Sequence, residues 1–502
     1  MKLQWLLFAL CVLLIIAGCK KENNNPLPKN PPPPVVNTAG KLSIANVLQS
    51  NMVIQRGKPF VIWGKANADA TVNVKVSWNS ADFTAVTDAS GNWLVTIPAT
   101  GATDQPQTIT AKTASGSPLV LKNILIGDVW ICSGQSNMVY QVDSIPPFGG
   151  VIDFRDEIAS ANFPSIRAMT VPVDQESQPV DSLTFPTAWA VCSPQTAGKM
   201  SAVAYYFARK LYISLNVPIG IIVSAVNGSS CEAWINNAGF NSNAAIARYS
   251  GINDATMYYN SMINPLTRLA IKGFTWYQGE NNKNNNPVSD YTKLNSALIA
   301  AWRQAFTQGS LPFYFVQMTP FDQYYYSTNP VGGYPAADDY AKFREAQANV
   351  LSVANTGMAV TMDVGEPGNQ HPHDKKPVGE RLALLALNNT YGQPVQCYGP
   401  QYASYTANGN TATISFKQGT ADGLNTINNL PLKQYFFVAG TDHNFLQASA
   451  VISGNQIVLT APSNTPLPIQ AVRYAFTVAP VTNLQNSAAL PMEPFRTDNW
   501  SN

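Results

Sequence analysis

Charge is scarce in this chain of 502 residues: Asp, Glu, Lys and Arg together make up 12%, about half the usual share. The formal net charge is +2, and no run of Lys or Arg is longer than a pair such as Lys20-Lys21. That excludes the basic patch that nucleic-acid binding needs. After the N-terminus no segment is long and apolar enough to span a bilayer. The six cysteines fall at spacings that match no zinc or redox motif, so no metal and no cofactor is expected. Histidine is scarcer still, with only His371, His373 and His443. Asn, Thr, Ser, Pro and aromatics fill the space left by charge, a composition common among extracellular β-rich and carbohydrate-active proteins.

The first 40 residues read as an export signal and a tether. Lys2 precedes an apolar run over 5–16 that is too short to cross a membrane. It ends in Ile16-Ala17-Gly18-Cys19, which resembles a bacterial lipobox. Residues 1–19 are therefore expected to be a lipoprotein signal with Cys19 as the lipidated residue. Residues 20–40, with Pro31-Pro32-Pro33-Pro34, form an extended Pro/Asn-rich tether. The expected location is the bacterial envelope, periplasmic or cell-surface, with a lipid anchor in the membrane. Of the cysteines beyond Cys19, both disulfides and buried free thiols stay open.

Three regions follow. Residues 41–122 are short Val-, Thr- and aromatic-rich segments between Gly, Asp, Asn and Ser turns, which predicts a sandwich-like β domain. Over 123–392 strands alternate with helices: strands at 124–132, 219–226, 313–319 and 358–362, helices at 201–215, 289–305, 338–350 and 376–388. Such alternation predicts a parallel sheet flanked by helices. From 393 to 502 the pattern returns to β, with Gly454-Asn455 marking a hairpin turn.

Ligands of parallel sheets gather at the carboxyl ends of the strands, and four polar segments fall there. Gly134-Gln135-Ser136-Asn137 follows the first strand, where a serine at a strand-to-helix turn exposes its hydroxyl. Asn227-Gly228-Ser229 follows 219–226, and its glycine lets a backbone N–H approach a ligand. Trp276-Tyr277-Gln278-Gly279-Glu280 ends another strand, and His371-Pro372 lies before the helix at Lys376. Ester hydrolysis needs a nucleophile, a base, a group that orients the base, and donors for the oxyanion. Ser136 supplies the first. Because His443 lies in the last β region, the base is His371 or His373. Expected oxyanion donors are the N–H groups of Ser136 and Gly228 and the Gln278 amide.

The order of these motifs resembles the SGNH hydrolases, and more closely the sialate O-acetylesterase family. The likeness runs nearly the whole length. It takes in Asn51-Met52-Val53-Ile54-Gln55-Arg56, 127–138, 201–209, Glu232-Ala233-Trp234-Ile235 and Trp276 to Glu280. It continues through Arg344-Glu345-Ala346-Gln347, Val378-Gly379-Glu380-Arg381 and Pro494-Phe495-Arg496-Thr497. The resemblance implies an SGNH-like α/β domain, Ser136 as nucleophile and His371 as base, with His373 a surface or substrate-holding residue. It also implies removal of O-acetyl groups from a sugar, foremost a sialate, through an acyl-serine intermediate.

The family's acid, two residues before the base, is Asn369 here. Asp363, Glu366 and Glu280 are the carboxylates expected to replace it; if none reaches His371, Asn369→Asp is expected to raise turnover. Two other readings accompany the first: acetyl removal from xylan or another polysaccharide, and a sugar-binding surface lipoprotein with weak catalysis.

Overall fold

The computed structural model describes residues 41–322 and 339–500. Cys19, the signal and the tether lie outside the described residues. The centre of the molecule is a mixed sheet of 11 strands. Six of them run parallel in the order Phe163–Thr170, Ile219–Ala225, Leu119–Gly134, Gly273–Tyr277, Phe313–Val316, Thr356–Ala359. Ala190–Cys192 closes one edge antiparallel. Apart from Phe163–Thr170, the parallel strands read as largely apolar runs because helices cover both faces. Ala202–Leu215 and Lys376–Asn389 pack on one face, and Tyr291–Phe306 and Asp339–Ala348 lie on the other. Ser201 starts the first of these helices by accepting a hydrogen bond from the Ala204 N–H at 3.3 Å.

The strand Leu119–Gly134 is about twice the length expected from its apolar run. Its first half pairs antiparallel with Thr103–Lys112, and its second half lies in the parallel sheet. The pairing shifts register across Lys122-Asn123, where Asn123 takes φ 57°. That bulge turns the strand from one part of the sheet to the other. The junction expected at 122/123 thus falls inside one continuous strand. Val53–Gln55 lies alongside it, and Arg56 and Gln55 both hold the buried Asp128 carboxylate, at 2.8–3.0 Å. The Asn51–Arg56 motif is the clasp between the two regions.

The last hundred residues build two four-stranded sheets over their own core. Ser449–Ser453 and Gln456–Thr460 meet at the Gly454-Asn455 hairpin. Arg344 donates to the carbonyls of Thr477 and Val478, and Arg496 pairs with Glu345 at 2.7 Å, fastening these sheets to the central domain. The four cysteines among the described residues are buried free thiols.

Candidate active site

Gly134 ends its strand at φ 137°, so close to the next strand that a Cβ would stand 2.1 Å from the Tyr277 carbonyl. Only glycine fits. Gln135 N–H then donates to that carbonyl at 2.9 Å, and the Gln135 side chain accepts from the Gly279 and Asn281 N–H groups. Ser136 opens the helical turn Ser136–Val139, where its N–H has no intrahelical partner.

His371 arrives from the loop after Thr356–Ala359. Its Nε2 lies 2.8 Å from Ser136 Oγ. The backbone on either side of the ring is pinned throughout. Asn137 Nδ2 donates to the Gln370 carbonyl at 3.1 Å, and Lys375 Nζ to the Pro372 carbonyl at 2.6 Å. Asn369 grips His371 itself, accepting from its N–H at 2.9 Å and donating to its carbonyl at 3.0 Å. The Phe148 ring meets the imidazole edge-to-face, with centroids 4.7 Å apart. Burial, and then the nearby Lys375 ammonium, press the His371 pKa down to about 4.

The carboxylates expected to orient this ring do not reach it. Asp363 forms a two-point ion pair with Arg381 at 2.5–2.7 Å. Glu366 accepts from the N–H and Nδ1 of His373 and from the Asn369 amide, at 2.7–2.9 Å. Glu280 accepts from Asn137 Nδ2 at 2.6 Å. Among the described residues no carboxylate hydrogen-bonds the His371 imidazole; the contacts that hold His371 are to its main chain, from Asn369. Asn369 turns out to brace the loop rather than face the ring.

The Gln278 assignment is likewise corrected. Its amide is buried and donates to Asn282 Oδ1 at 2.6 Å and to the Ser229 carbonyl at 3.2 Å, while Tyr291 occupies its oxygen. Ser136, His371 and Gly228 instead share an open cleft of about 380 Å³ whose wall carries Asn227, Asn281, Asn284 and Asn285. Gly228 takes φ 69°. Asn281 Nδ2 donates to the Gly228 carbonyl at 2.6 Å and has a second hydrogen to offer. The sequence assigns no role to Asn137, which stands inside the Gly134–Asn137 motif, to Asn281, which follows Glu280, or to Lys375, four residues beyond His371. His443 is remote, stacked on Trp500 in the C-terminal sheets. Among the described residues no cluster of His, Cys, Asp and Glu is placed to hold a metal ion.

A hydroxyl against a base, at the floor of an open cleft beside free backbone donors, is the equipment of an ester hydrolase. The family described as carbohydrate esterase, sialic acid-specific acetylesterase, matches residues 126–387. Human sialate O-acetylesterase is 28% identical over 498 residues, covering 90% of this chain and 91% of that protein. The mouse enzyme of the same name is 29% identical over 409 residues, covering 70% and 73%. A crystal structure of a carbohydrate acetylesterase from Xanthomonas citri superposes with TM-score 0.80 at 32% identity, covering 91% of this chain and all of that one. The chain belongs to the sialic acid-specific acetylesterase family of carbohydrate esterases. It is an enzyme, a carbohydrate O-acetylesterase.

Proposed function

We propose that this enzyme works as an SGNH-type serine esterase. Ser136 Oγ attacks the acetyl carbonyl as its proton passes to His371 Nε2. The C–O bond to the sugar breaks, the sugar oxygen takes that proton, and an acetyl-Ser136 ester remains. Water, deprotonated by the same nitrogen, then releases acetate and restores the hydroxyl. The N–H groups of Ser136 and Gly228 face the oxyanion, with the Asn281 amide as a third donor. Each such donor contributes about 10²–10³ in turnover. The observation that carries this reading is the 2.8 Å contact between Ser136 Oγ and His371 Nε2 inside the cleft.

The family and its curated relatives favour an acetylated sialic acid as substrate. Acetyl removal from a neutral polysaccharide such as xylan is the second reading, favoured by the asparagine amides of the cleft wall, which suit uncharged hydroxyls. We place the enzyme in the bacterial envelope through a lipidated Cys19; no helix among the described residues is long and apolar enough to cross a membrane.

The test is acetate release by the purified chain from an aryl acetate, then from O-acetylated sialic acid and acetylated xylan. Ser136→Ala is expected to abolish all three. Turnover that survives in Ser136→Ala would overturn the mechanism, and glycan retention without any acetate release would favour the sugar-binding alternative.

A further inference from the structure

A buried lysine and a buried glutamate lie directly beneath the dyad, and the mechanism above uses neither. Lys375 Nζ is enclosed, donating to Asn137 Oδ1 at 2.7 Å and to the Pro372 carbonyl at 2.6 Å. The other end of the Asn137 amide donates to Glu280 Oε1 at 2.6 Å and to the Gln370 carbonyl at 3.1 Å. One ammonium, one amide and one carboxylate therefore form a line across three loops. Asn137 is the neighbour of the nucleophile, Gln370 and Pro372 flank the base, and Glu280 begins the short helix Glu280–Asn285 after the strand Gly273–Tyr277.

We infer that Lys375 and Glu280, joined through Asn137, are positioning residues that keep His371 in register with Ser136. The inference rests on the reading of Ser136 and His371 as nucleophile and base. In a dyad without a carboxylate on the imidazole, the direction of the ring is set by the main chain on either side of it. Two of the carbonyls there are held by this line of side chains. Placing charge in the line makes it stiff, because hydrogen bonds with an ionised partner are the shorter and stronger ones. A displacement of about 1 Å at such a site can cost about 10²-fold in turnover.

The ammonium has a second effect. Besides Glu280, it faces the carboxylates of Glu366 and Asp374, the rings of Tyr140 and Tyr277, and the His371 imidazole. Burial lowers the Lys375 pKa to about 7, against the pull of the three carboxylates. Below that pH it is a cation beside the base and disfavours protonation of His371.

The experiment compares Lys375→Met, Glu280→Gln and the double variant with the parent enzyme on an aryl acetate, recording Tm, kcat, KM and the pH profile of kcat/KM. Lys375→Met is expected to lose Tm, because it leaves Glu280 buried without its counter-charge. Its kcat is expected to fall about 10²-fold with KM nearly unchanged, and its acid limb to move up toward the ordinary histidine value of about 6.5. The double variant is expected to regain Tm but not kcat, since Met restores neither hydrogen bond. It also serves if Lys375→Met alone does not fold. Recovery of kcat together with Tm in the double variant would reduce the pair to a structural one and overturn the proposal, as would an unmoved acid limb. A parent enzyme no better than Ser136→Ala would instead overturn the esterase reading beneath it.

Discussion

In its proposed role as general base, His371 has to be free of its proton yet strong enough to take one. Here burial and the Lys375 ammonium settle it toward the free base, with the pKa near 4. A depressed pKa leaves the imidazole unprotonated at all pH above that value, so the active range extends to acid. The kcat/KM profile on an aryl acetate is expected to stay flat from about pH 6 to about 5 and to fall only toward pH 4. A limb at the ordinary value of about 6.5 would contradict this environment. Asn369 offers a second test. Its amide donates to Glu366 and to the His371 carbonyl, and an aspartate there would turn both contacts into oxygen against oxygen. Contrary to the gain expected from sequence, Asn369→Asp should lower turnover and cost about 1–3 kcal/mol. Urea denaturation and kcat measure both effects, and adding Glu366→Gln should recover part of each.

At the level of elements, the site depends on how the strand Leu119–Gly134 ends. Gly134→Ala would force a Cβ into the Tyr277 carbonyl at a backbone angle few side chains adopt. The backbone strain alone is worth about 1–3 kcal/mol, and Gln135 and Ser136 must shift with it. Both Tm and kcat are expected to drop, and a variant with parental kcat would show that the turn tolerates displacement. The strand's apolar run and the Gly-Gln-Ser break are local features, so the turn was legible in the sequence. So were the four long helices, whose bounds differ by no more than two residues at each end. Phe163–Thr170 was not legible: it holds Pro164 and Arg167 and lacks alternation, and it becomes a strand because Ile219–Ala225 pairs with it. Ser136 and His371 could be named because their residue types and order are distinctive. Lys375, Asn137 and Glu280 act through burial and mutual contact, which arise only when three distant loops meet. Asp363 and Glu366 stand near His371 in sequence, but that nearness did not decide their partners, which are Arg381 and His373.

For the whole molecule, the regions hold to one another by different means. The C-terminal sheets are attached mostly by side chains, through Arg344 and the Arg496–Glu345 pair, with a main-chain bond from the Thr482 N–H to the Met362 carbonyl at 2.9 Å. The N-terminal sheet is attached by the main chain itself, since one strand belongs to it and to the parallel sheet. Hydrogen bonds along that strand serve both regions, so loosening one frays the other.

For a protein engineer, this makes the two ends unequal. A foreign module could replace the C-terminal sheets at a loop without cutting a strand of the central sheet. At the other end a splice at the compositional border would sever a running strand upstream of the nucleophile. The practical crossover points there lie before Asn51, ahead of the clasp, or nowhere short of rebuilding the sheet.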